Sequence, residues 1–428
     1  MEIKYVHHPE ALPGAYPLAA QAGDLIFVGG QLAAHPTKGM TPEAKLLPNY
    51  PWHGSSIQKQ LSYLYSNLEK RLESVGSSLH HIMKINSYHT NPAEVDMALR
   101  LRREWFGDVP PPSSLLIVSD LPVHSATVNL DMTNIVANAS LKRQEVTMKS
   151  VPPIGQVAAI GWAVYSQAVR GGGFVFTRGA TASGVRGPID EIVYNPDCAY
   201  PHNPVRFQTE YIINYLKKVL GDAGCTLEDI VRAEIYLPDM KDYAVFDEVW
   251  QKFFPVDPPA RVVIPAKTVV PFTVVEIEFI AVDPQGTYQK EIISTREAPT
   301  PLGGEPQAVK AGPYLFLSTQ VATDYRHGVP PEARPDPNFP YHSSSIRRQV
   351  EYVYKNVDSI CRAAGTTAQN LVKMRAIHLN MSELPEAEHV WQEKLGDRLP
   401  PTTAFQTDGP LAVPGCTVQY DFTAVVLD

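Results

Sequence analysis

The sequence predicts an α+β fold written three times in tandem, and three observations carry that prediction. A helix with one apolar face ends at a glycine in each third of the chain, at Gly76, Gly224 and Gly365. A second helix carrying a tryptophan follows, at Trp105, Trp250 and Trp391. A proline corner at Pro112, Pro259 and Pro401 then leads into a closing strand. These landmarks recur about every 140–150 residues, a domain-sized period. A chain of 428 residues has room for about three such domains. They are read as residues 1–140, 141–288 and 289–428, with joins near Leu141-Lys142-Arg143-Gln144 and Gln289-Lys290-Glu291.

The first helices show their buried stripes as Leu61, Leu64, Tyr65, Leu68; Ile212, Tyr215, Leu216, Val219; and Val350, Val353, Tyr354, Val357. The spacing i, i+3, i+4, i+7 puts each set on one helical face. The three glycines suit the left-handed residue that ends a helix, and Ser55 and Ser344 suit N-caps. The tryptophans read as core. In the closing strand of repeat two, Val275, Ile277, Phe279 and Ala281 share one face while Glu276 and Glu278 share the other. The counterparts keep the alternation but carry Asn129 and Asp131, or Gln419 and Asp421.

A hydrophobic content of 44% supports several cores, and a net charge of −8 without a Lys/Arg block lacks the footprint of a nucleic-acid binder. Residues Met1 to His8 hold no signal-like apolar core and no run is long enough for a membrane span, so a cytoplasmic protein with no membrane partner is expected. Cys198, Cys225, Cys361 and Cys416 lack CxxC spacing and read as reduced and structural. His53, His202 and His342 occur once per repeat just before the first helix, which suits an entry turn better than a metal site. His89 and His378 lie on strand-like runs, with no Ser or Cys nucleophile to pair with either.

Arg261 opens a β-run after the repeat-two corner. A turn over Lys267 to Pro271 would bring it opposite Glu276 on an antiparallel neighbour. An Arg fork can grip a substrate carboxylate while a Glu activates water, and an ordinary cross-strand ion pair is the alternative.

Tyr165-Ser166-Gln167-Ala168-Val169, Ala223-Gly224, Pro259-Ala260-Arg261 and Val275 through Val282 together resemble the YjgF-like, or Rid, family of reactive-intermediate deaminases. The resemblance spans repeat two and, more weakly, repeats one and three. It implies chorismate-mutase-like α+β domains that assemble as trimers, with a central β-barrel, outer helices and a ligand cleft at each interface. Three tandem copies then imply an intramolecular pseudo-trimer. The resemblance assigns carboxylate binding to Arg261 and water positioning to Glu276. At those places repeat one has Ser114 and Asn129, and repeat three has Thr403 and Gln419, so repeats one and three read as degenerate.

Substrate binding is assigned in the same way to Tyr165, Tyr16 and Val263, and to the loop Arg178-Gly179-Ala180. That loop matches Gly29-Gly30-Gln31 and Ser318-Thr319-Gln320, and Glu305 takes the tyrosine's place in repeat three. Arg178 stands where a small residue is usual and either adds an anionic anchor or blocks the cleft. The implied activity is hydrolysis of a small imine or enamine carrying a carboxylate to a 2-oxo acid and ammonia, with no metal or organic cofactor and an anionic small molecule as partner. A biosynthetic tailoring reaction in the same cleft (cyclisation, tautomerisation or hydrolysis) and a non-catalytic metabolite-binding scaffold are the alternatives. Ribonuclease activity, also attributed to the family, fits the acidic charge poorly.

Overall fold

A computed structural model describes residues 1–7, 15–35, 37–50, 52–107, 110–152, 165–183 and 204–427. Cys198 and His202 lie outside these. Each repeat supplies two helices: α1 (Ser56–Glu73) and α2 (Val95–Phe106), α3 (Pro204–Asp222) and α4 (Tyr243–Phe253), α5 (Ser345–Ala363) and α6 (Leu384–Leu395). The apolar stripes are buried as the spacing predicts, with Tyr215 and Tyr354 half-buried at their edges. Ser55 and Ser344 accept from the backbone N–H of Gln58 and Arg347, so both cap their helices. Gly76, Gly224 and Gly365 all have positive φ just past a helix. Trp250 and Trp391 are fully buried, whereas Trp105 is only partly so.

The sheet of repeat two runs Gln144–Glu145, Ala168–Gly171, Phe174–Thr177, Glu276–Val282, Ile230–Tyr236, Ala260–Ile264, so the closing strand lies inside the sheet. Repeats one and three share this order. The corner strand Ala260–Ile264 pairs parallel with Ile230–Tyr236, and Glu276–Val282 pairs antiparallel with that same strand. The expected hairpin between Arg261 and Glu276 is therefore absent. The reason is the crossover: the chain leaves Ile230–Tyr236, passes through α4 and returns alongside it in parallel, leaving that strand between the two others. Lys267–Thr268, where the turn was expected, pairs instead with Leu116 and Ile117 of repeat one.

The repeats meet in a fixed order. The corner strand of repeat one receives the loop of repeat two, where the Gly179 N–H donates to the Ser113 carbonyl at 3.1 Å. The corner strand of repeat two receives the loop of repeat three, where the Thr319 N–H donates to the Arg261 carbonyl at 2.9 Å. The corner strand of repeat three receives repeat one, with Gly29 against the Thr402 backbone and the Asn129 amide donating to the Ala404 carbonyl at 3.2 Å.

Charges also meet between the sheets. Lys84 lies 2.6 Å from Glu278, Lys373 lies 2.6 Å from Asp131, and Arg375 lies 2.7 Å from Glu234 and against Asp421. Arg232 bridges Glu234 and Asp421, while Tyr88 and Tyr236 donate to Asp131 and Glu234. These groups come from all three repeats and several line a cavity of about 30 Å³, room for a water molecule. Among the described residues no helix is long and apolar enough to cross a membrane.

Candidate active site

Arg261 and Glu276 look toward different junctions. The Arg261 side chain is fully buried against repeat three, where Nη1 donates to Asp247 at 2.6 Å and Nη2 to Glu305 at 2.7 Å and to the Tyr243 hydroxyl at 3.2 Å. Its guanidinium also lies over the rings of Tyr243, Phe246 and Trp250 at 5.6–5.8 Å. Two carboxylates already neutralise this cation, and Glu305 stands at the position where repeat two has Tyr165. Gly303 lets the strap carrying Glu305 close, since a Cβ there would come within 2.0 Å of Arg261 Nη2. Across this junction Gln419, not a glutamate, donates to the Val263 carbonyl at 2.6 Å, and Val263 N–H donates to the Thr319 hydroxyl. Val263 thus makes backbone contacts between repeats. Arg261 as a free carboxylate clamp facing Glu276 is overturned, because Ile230–Tyr236 separates the strands and Asp247 and Glu305 take its donors.

Glu276 faces repeat one, at the junction that holds Ser114 in place of an arginine. Burial pushes its carboxyl up to about 7 and Glu278, two residues along the same strand face, adds to the rise. Lys84, the Ser114 hydroxyl and Arg178 pull the other way. Burial likewise lifts Glu278 to about 7 against the pull of Lys84. Two adjacent carboxyls of this kind titrate as a unit. Lys84 Nζ also donates to Ser114 Oγ at 3.1 Å, so the Ser114 hydroxyl sits among one cation and two acids.

Arg178 is the other cation here, and its surroundings differ from those of Arg261. Nε donates to the Gln167 amide oxygen at 2.7 Å, Nη1 to the Gly179 carbonyl at 2.7 Å, and Nη2 to the Tyr215 hydroxyl at 3.4 Å. Tyr165 and Tyr215 present their rings at 5.5 and 5.3 Å. Every one of these partners is neutral, so among the described residues the buried guanidinium beside Glu276 has no carboxylate in contact. Tyr165 packs with Val95, Leu99, Leu115, Ile117 and Val269, an apolar wall partly exposed at Ile117, Tyr165 and Val269.

Gly179 completes the arrangement by close approach. A Cβ there would fall 1.9 Å from Glu276 Oε1 and 2.3 Å from Ser114 Oγ. Gly179→Ala should displace the carboxyl and destabilise the junction, which a lower melting temperature than that of the wild type checks.

The third junction has neither charge. Asn129 and Thr403 occupy the acid and arginine positions, each fully buried, with Gly30 between them. Tyr16 lies here with its hydroxyl buried and without a partner among the described residues. Because each junction takes the arginine position from one repeat and the glutamate position from the next, no junction unites Arg261 with Glu276.

The remaining expectations resolve as local structure. His53 and His342 N–H groups donate to the carbonyls of Tyr50 and Phe339 in matching turns before α1 and α5. His89 and His378 are fully buried, and burial pushes their imidazoles down to about 3 and about 4, so both are neutral. Cys225, Cys361 and Cys416 are free and buried, and burial raises each thiol to about 11 or 12. No group of His, Cys, Asp and Glu suited to a metal ion occurs among the described residues.

The family model described as endoribonuclease L-PSP matches residues 7–136 and again 156–283, more than half of the sequence. The chain belongs to the endoribonuclease L-PSP family. The YjgF/Rid resemblance read from the repeat-two motifs is thereby borne out. Among curated relatives of this L-PSP chain, a RutC family protein of Pyrococcus abyssi is 32% identical over 139 residues, covering 32% of this chain and 92% of that one. A RutC family protein of Pyrococcus horikoshii is 33% identical, covering 27% and 85%. Among solved structures, RidA from Psychrobacter is 25% identical over 32% of this chain and 98% of its own, with a TM-score of 0.25. A chorismatase is 12% identical but covers 81% of this chain and 93% of its own, with a TM-score of 0.50. That last likeness concerns the fold and extends across repeats.

Proposed function

We propose that the protein is a cofactor-independent deaminase of small reactive imines that carry a carboxylate, working at the junction of repeats one and two. The observation that carries this reading is a buried guanidinium, Arg178, whose partners among the described residues are all neutral, beside a carboxyl, Glu276, held near 7. Arg178 anchors the substrate carboxylate through its remaining N–H donors, in place of Arg261. Ionised Glu276 takes a proton from water as the hydroxide adds to the C=N carbon and returns it to nitrogen to give the carbinolamine. It then takes the carbinolamine hydroxyl proton and passes it to nitrogen as the C–N bond breaks, so that ammonia leaves and the C=O of the 2-oxo acid forms. Tyr165 and the apolar wall flank the substrate. The three repeats form an internal trimer around a central barrel, a reading supported by the cyclic order of the junctions and by the long fold likeness to the chorismatase.

The test follows 2-oxo acid formation from 2-iminobutanoate or 2-aminoacrylate. Glu276→Gln should lower kcat by 10²–10⁴-fold, the range for loss of a general acid–base group. Arg178→Met should mainly raise KM, and Arg261→Met should leave kcat/KM within about threefold in the folded fraction. Loss of turnover in Arg261→Met with Arg178→Met unaffected would overturn the assignment. The activity of the wild type should rise with pH through a midpoint near 7 as Glu276 ionises. Its stability should move the other way. A carboxyl raised by folding stabilises below its ordinary pKa, and that contribution is lost as pH climbs through about 7. Relative to Glu276→Gln, the wild type should therefore lose stability as pH rises from 4.5 to 8, on the order of a few kcal/mol because the two carboxyls titrate together.

A further inference from the structure

The junction between repeats three and one keeps an acid whose cation is gone. Glu388 sits at the fifth residue of α6, the place that Asp247 holds on α4, and Trp391 matches Trp250 three residues on. Asp247 is bonded to Arg261, whereas the residue matching Arg261 on the repeat-three corner strand is Thr403. Leu384 and Ala387 replace Tyr243 and Phe246, two of the three rings against which the Arg261 guanidinium lies. Around Glu388 an Arg, a Tyr and a Phe have thus become Thr, Leu and Ala.

The groups left behind lack partners. Among the described residues, Glu388 makes no hydrogen bond or ion pair, and the only influence on its carboxyl is burial, which lifts it to about 7. The Tyr16 and Tyr420 hydroxyls both lie close enough to Glu388 for its charge to act on them; both are buried, Tyr420 beside the Trp391 indole N–H and Tyr16 with no hydrogen-bond partner among the described residues. Thr403 Oγ1 and Asn129 Oδ1, on fully buried residues, are unpartnered as well. The Tyr420 ring packs 5.3 Å from Trp391 and offers an aromatic surface in the same place. Glu388 itself is not sealed, being partly exposed.

We propose that this junction is a second ligand site, which takes a small organic cation, an alkylguanidinium or primary alkylammonium, on Glu388 between the hydroxyls of Tyr16 and Tyr420. The ligand supplies the charge that Arg261 supplies at the neighbouring junction. Its N–H groups donate to the carboxylate and the phenol oxygens, and its short alkyl stem lies toward Leu384, Ala387 and the aromatic rings. The site is separate from Glu276 and Arg178, and the proposal does not depend on the deaminase reading.

The test titrates the full chain with propylguanidinium and with butylammonium by calorimetry at pH 8, with sodium propionate as the anionic control. The wild type should bind at least one of the cations and not propionate at this site. Glu388→Gln should weaken that binding at least tenfold, while Glu276→Gln leaves it unchanged. Thr403→Arg should abolish binding and raise the melting temperature, because the guanidinium is then built in. Failure of the wild type to bind either cation, or equal binding by Glu388→Gln with its melting temperature intact, would overturn the proposal.

Discussion

Arg375→Met should lower the urea midpoint sharply, with a cost of about 3–5 kcal/mol and an unchanged m-value, as expected when one partner of a buried ionic cluster is removed. Arg375 is fully buried on repeat three, yet its partners include Glu234 of repeat two and Tyr88 of repeat one, besides Asp421. Its loss leaves Glu234 and Asp421 with Arg232 as their one ion-pair partner among the described residues. The double variant Arg375→Met with Asp421→Asn should recover part of the loss, since one stranded carboxylate is gone. An unchanged midpoint in the single variant would mean that the centre does not hold the repeats together.

Arg261→Met should be comparably costly, again about 3–5 kcal/mol, because Asp247 and Glu305 would be left facing each other without their shared cation. Replacing Glu305 with Gln in that background should restore stability, because it removes one of the two stranded charges. Together with unaltered turnover in the folded fraction, this rescue would mark Arg261 as a strut between repeats two and three. A catalytic role for Arg261 would instead lower kcat/KM in both variants, whatever their stability.

Much of the architecture was legible because it is local. The stripe Leu61, Leu64, Tyr65, Leu68, the caps at Ser55 and Ser344, the glycines with positive φ and the alternation of Glu276 and Glu278 all follow from spacing within one element. Alternation gives the face of a strand but not its neighbour. The helix between Ile230–Tyr236 and Ala260–Ile264 decided the sheet order, and with it the separation of Arg261 from Glu276. Lys84, Arg232 and Lys373 escaped notice although each is the third residue of its strand, opposite a recurring acid at Asp131, Glu278 or Asp421. A charge repeated at the third position of the matching buried strand in each repeat was the available signal. Arg178 did stand out in the sequence, but the neutrality of its partners depends on Tyr215 and Gln167, which only folding brings beside it.

The handing of each corner strand to the following repeat means that no repeat owns a junction. A single copy repeated by symmetry would alter all three junctions at once. Fusion frees them from that identity, but only in pairs: any edit confined to the middle copy is felt at both of its borders. Divergence in this protein is therefore expected to run as linked changes between neighbouring copies, with the packing of one junction setting limits on the next.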